Sequence, residues 1–134
     1  MRFDEVEFGA ELGPYQPDTS LAVTSEFAAA VGWGQPPRFT DHEAARAEGH
    51  AGAMVPGILG MGFLTALIRS WAPDAQIEQI DTVFRAPMIA DEPLDVTAVV
   101  TDIDDESRQV ELDLQIKNAA QETRLFGTAL VRFP

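Results

Sequence analysis

The chain has 134 residues, with 9 Lys and Arg against 22 Asp and Glu, a formal net charge of −13 and no cysteine. That length supports one hydrophobic core and is read as a single domain over residues 1–134. The charge argues against nucleic acid or an anionic membrane as partner, and the missing cysteines exclude a disulfide framework, a thiolate nucleophile and a thiolate-bound metal.

Taken in chain order, the N-terminus MRFDEVEFGAELG is acidic where a signal peptide needs basic and apolar regions, so a cytoplasmic location is expected. Residues 19–24, TSLAVT, read as a short strand, and Thr24 or Ser25 is placed to cap a helix through EFAAAV that stops at Gly32. After the loop GWGQPPRFT, Asp41 reads as the N-cap of a second helix, HEAARAE, with Glu43 in its first turn and Gly49 as its stop. The alanines of this helix predict shallow packing, and His42 falls on its solvated first turn.

A third helix is expected from about residue 55 to Trp71, with Pro56 in the first turn, where a missing N–H costs nothing. Only Thr65, Arg69 and Ser70 are polar within it, a composition that suits a helix embraced by a curved sheet. Residues 51–68 carry no charge and reach the minimum length of a membrane span, but Gly52, Pro56, Gly57, Gly60 and Gly62 make a poor anchor. The amphipathic strands that follow need this helix as their core.

Beyond Pro73 the pattern turns to period two. Ile80, Thr82 and Phe84 share one face, Leu94, Val96, Ala98 and Val100 a second, and Val110, Leu112, Leu114 and Ile116 a third. The turn signals DDES and NAAQ separate strands, and TRLFGTALVRF adds a fourth, so an α+β domain ending in a four-strand meander is expected. The two histidines form no metal motif, and no phosphate loop or G-x-S-x-G occurs. His50, among small residues shortly before Pro56, is a candidate acid or base, and Arg38 a candidate partner for a phosphate or an acidic neighbour.

This order of elements resembles the hot-dog superfamily, and within it the MaoC-like (R)-specific enoyl-thioester hydratases and dehydratases. The resemblance is carried by VTSEFAAAVG for the opening helix, by DHEAARAEGHAGAMVPGILGMG for D-x-x-x-A-x-x-x-G-x-x-x-x-x-H-G-M-L-x-x-G, and by TVFRAPMIADEPLDVTAVV for the strands after the helix. It implies an antiparallel sheet curved around one long helix, and hydration or dehydration of enoyl or 3-hydroxyacyl thioesters of coenzyme A or a carrier protein, with no cofactor and no metal. The family's D-x-N-P-x-H pair falls on Gly34 and Phe39 in an ungapped alignment, and the His of H-G-M-L on Pro56. What the resemblance retains is the helix mouth: Pro56 sets the first turn, and the N–H groups of Gly57 and Ile58 would hold a thioester carbonyl, with Arg38 and Phe39 beside them.

Three readings follow: a hydro-lyase using displaced groups such as His50, a silent subunit completed by an active hot-dog partner, or an acyl-CoA thioesterase. Because one curved sheet leaves an open edge, a homodimer is the minimum expected assembly, with a hetero-oligomer as the other form.

Overall fold

A computed structural model describes residues 1–134. After a short 3-10 turn at Phe3–Glu5, the elements are β1 (Glu11–Tyr15), α1 (Leu21–Ala30), α2 (Pro37–Thr40), α3 (His42–Ala47), β2 (Met54–Val55), α4 (Gly57–Trp71), β3 (Gln76–Phe84), β4 (Met88–Ile89), β5 (Leu94–Asp104), β6 (Gln109–Asn118) and β7 (Thr123–Arg132). The main sheet runs β1-β5-β6-β7-β3, antiparallel throughout, and β2 and β4 form a separate two-stranded ribbon.

The long strands stand where the period-two pattern places them, because one face of each must be buried. Val96, Val100, Val110, Leu112, Ile116, Leu125 and Val131 point inward and are almost wholly buried. Against them α4 packs Phe63, Leu64, Leu67 and Ile68, each worth about 1.5–3 kcal/mol when fully buried. The helix is not enclosed all round: Ile58, Gly62, Ala66 and Arg69 form an exposed stripe along one side, with Ile58 51% exposed.

Three expectations are corrected. TSLAVT is not a strand: Ser20 accepts the Val23 N–H and Asp91 accepts the Leu21 N–H, so α1 starts at Leu21, and capping outweighs the β-branched residues. The first strand is instead β1, where the sequence shows glycine and proline and only Leu12 is buried. The last four long strands are not a simple meander either, for β3 pairs with β7 rather than with β5 and lies at the sheet's edge.

The sheet face turned away from α4 carries cross-strand rows set by the register. One contains Glu11, Val99, Asp113, Thr128 and Asp81, and the next Thr97, Gln115, Phe126 and Val83. No helix is long and apolar enough to cross a membrane.

Candidate functional site

Pro56 is the N-cap of α4, and its carbonyl accepts the N–H of both Leu59 (3.0 Å) and Gly60 (3.2 Å). No side chain caps this end. The N–H groups of Gly57 and Ile58 therefore precede the first intrahelical bond and sit at the positive end of a 15-residue dipole, a place suited to a carbonyl or an anion. Phe84, the last residue of β3, lies over this end: a Cβ on Gly57 would come within 2.9 Å of its ring. Phe84 is 57% exposed, so it flanks the helix end as a half-solvated aromatic residue.

On the other side α2 packs against β2, the strand that leads into α4. Phe39 lies in α2, its ring 5.5 Å from that of Trp33, which meets Phe27 edge-on at 5.9 Å. The Arg38 guanidinium sits 5.7 Å over the Phe39 ring and is otherwise exposed. The buried Thr24 hydroxyl lies 3.2 Å from the Phe39 carbonyl and fastens α2 to α1. The positions that the resemblance assigns to an acid–base pair thus hold Phe39, in an aromatic cluster, and Gly34, in the exposed loop before it.

His50 does not join this group. It lines a cavity of about 360 Å3 with Ala51, Pro87, Ile89, Glu92, Asn118, Glu122 and Arg124, whereas Pro56, Gly57, Ile58, Arg38 and Phe39 do not border that space. Its nearest acid is Glu48, at 3.9 Å.

His42, expected on the surface, is instead half-buried and fully engaged. Its Nδ1 accepts the Ala53 N–H (3.0 Å), which leaves the ring proton on Nε2 to meet the Asp91 carboxylate (2.7 Å). Asp91 also accepts the Leu21 N–H, so one carboxylate ties α3 to the start of α1. The His42 bond first, and the Leu21 N–H after it, hold the Asp91 carboxyl below the usual aspartate range. With both ring nitrogens committed, the pair is a structural clip and offers no lone pair to a substrate. The partners lie 49 residues apart, so no sequence spacing points to the contact.

Neither family models nor curated proteins give a match to this chain. Among solved structures, the R-hydratase PhaJ1 from Pseudomonas aeruginosa superposes with a TM-score of 0.89 over 99% of this chain and 85% of its own, at 20% identity. The chain has the hot-dog fold. The (R)-hydratase from A. caviae involved in PHA biosynthesis superposes on this hot-dog domain with a TM-score of 0.88, covering 97% of this chain and 98% of its own at 18% identity. The ChsH1-ChsH2 complex from Mycobacterium tuberculosis gives a TM-score of 0.83 over 96% of this chain and 99% of the matched one, again at 18% identity. The hot-dog arrangement explains why an apolar helix ends in free amides: the sheet buries the helix flank while its tip emerges between β2 and the end of β3.

Proposed function

We propose that this chain is a MaoC-like hot-dog subunit that binds the carbonyl of an enoyl or 3-hydroxyacyl thioester at the amino end of α4. By itself it lacks the acid–base pair needed to hydrate or dehydrate that ligand. The observation that carries the reading is the uncapped helix end, with the Gly57 and Ile58 amides next to Phe84. An oxygen that gains charge as a thioester enolises is stabilised by such preorganised N–H donors. General acid–base catalysis is typically worth ~10²–10⁴-fold, yet the His50 ring opens on a separate cavity and both ring nitrogens of His42 are already engaged. Adding water to an enoyl thioester moves only a proton and a hydroxyl group, so no cofactor is required.

Two features support completion by a second hot-dog subunit. The outer edge of β3 has no strand beside it, and the stripe Ile58, Gly62 and Ala66 leaves one side of α4 uncovered. A homodimer fits binding alone, whereas a catalytic heteromer needs a partner that supplies the acid and base. The two-chain ChsH1-ChsH2 neighbour is consistent with the latter arrangement.

The test is crotonyl-CoA binding by calorimetry beside loss of enoyl absorbance in the same preparation. Saturable binding without turnover is expected of the purified chain. Absence of binding contradicts the reading, and turnover at an ordinary enzymatic rate of about 1–10³ per second contradicts its second half.

A further inference from the structure

A concavity of about 1260 Å3 lies on the outer face of the sheet rather than at the α4 tip. Three of the chain's nine cationic residues, Arg85, Lys117 and Arg124, line it. Arg124 occupies a β-bulge: Ile116 pairs with Leu125 and Lys117 with Thr123, so Arg124 has no residue opposite it on β6. Bulges re-aim side chains, and here the Arg124 carbonyl also accepts the N–H of Arg85 (2.9 Å) and Ala86 (3.2 Å), fixing the segment after β3 beside it.

The Arg124 side chain is 80% covered, with Nη2 3.4 Å from the Glu122 carboxylate. Its Nε is buried and has no hydrogen-bond partner. Leaving such a donor unmade costs about 1–3 kcal/mol, more for a charged group, and a turn of the guanidinium toward the groove would let its fork meet a two-oxygen anion. Glu122 already takes the Asn118 amide at 2.9 Å, and Asp95, opposite Lys117 on β5, takes the Gln16 amide at 2.8 Å, so three cations face two committed carboxylates at this corner. The acidic row through Asp113 stands four residues along β6 from Lys117, about 13 Å away. Glu92 borders the smaller cavity behind Arg124 with His50 and Asn118 and does not line the larger groove.

We propose that Arg124, with Arg85 and Lys117, is a phosphate-ester site, and that its ligand is the phosphorylated pantetheine arm carrying the acyl group; this identification of the ligand rests on the thioester reading above. The two places are linked through neighbouring strand residues, because Phe84 lies over Gly57 and pairs with Leu125, next to Arg124, while Arg85 follows Phe84. The arm is shared by coenzyme A and acyl-carrier proteins, and the three cations offset locally the repulsion that a −13 chain exerts on an anion.

The test titrates the full chain with crotonyl-pantetheine, crotonyl-4′-phosphopantetheine and crotonyl-CoA. The phosphorylated arm is expected to bind at least tenfold more tightly than the unphosphorylated one in low salt, with the advantage shrinking as salt is raised. Arg124→Gln should reduce that advantage to less than threefold and leave crotonyl-pantetheine affinity unchanged. Lys117→Gln, which leaves the bulged residue itself intact and so checks against misfolding, should reduce it partially. Equal affinity for the two pantetheine compounds, or an undiminished preference in both variants, overturns the corner site while leaving the helix-tip reading standing. No binding by any of the three compounds overturns both. A further gain with crotonyl-CoA indicates the nucleotide carrier, and equal binding of the two phosphorylated compounds indicates a protein carrier, either result supporting the phosphate site.

Discussion

At His42 both ring nitrogens hold backbone-linked partners, so its removal leaves the buried Ala53 N–H without an acceptor. His42→Ala is expected to cost about 1–3 kcal/mol of unfolding free energy, measured by denaturant titration. The Asp91 end of the same clip has a pH signature. Its folded-state carboxyl titrates below the ordinary value of 3.8, so between the two values the unfolded chain binds more protons. The contribution is therefore complete above the ordinary value and is lost as pH falls through the folded one. Asp91→Asn, which tolerates the residue's φ of 65°, should flatten the acid limb of the stability curve. None of this clip is legible in the sequence, where His42 looks like any first-turn histidine of a polar helix. The opposite holds at Asp41, whose capping of the Ala44 N–H follows directly from local residue types.

At the scale of elements, β5, β6 and β7 are legible because alternation is a local property and one face of each strand meets the same core. Helix α4 is equally legible, its start displaced from residue 55 to Gly57 because Pro56 serves as the cap. Pairing order is not local, and so the placement of β3 beside β7 escapes the pattern. The bulge at Arg124 escapes it too, since nothing in NAAQETRLF marks which residue loses its partner. Two glycines separate packing from backbone effects. A Cβ on Gly60 would press on Met88 Cε at 2.8 Å and Leu125 Cδ1 at 3.0 Å, side-chain ends that can yield in part. Gly60→Ala should cost about 1–3 kcal/mol. On Gly127 the added carbon would overlap the Asp81 carbonyl oxygen, which is backbone and cannot yield without breaking the β3–β7 ladder. Gly127→Ala is expected to be the more destabilising of the two in thermal melts.

For the whole molecule, a single sheet curved around one helix leaves both the β3 edge and the Ile58 side of α4 without cover. Ile58→Asp should barely alter the folding of a separated chain, because that side chain is 51% exposed, yet shift the assembly toward monomer in sedimentation if a second subunit covers the stripe. An unchanged assembly would place the subunit contact elsewhere. The candidate site was half legible at this scale: the helix tip follows from Pro56 and the apolar run, while Phe84 reaches it only through the fold. Sequence proximity places His50 near the tip, but its side chain opens on another cavity.

A thioester carbonyl received by the Gly57 and Ile58 amides is read most directly from the amide resonances of the labelled chain. Titration with crotonyl-pantetheine should move the Gly57 and Ile58 signals downfield, saturably and together, as their N–H groups acquire an acceptor. Signals that stay fixed at both residues while the ligand binds elsewhere would contradict the account.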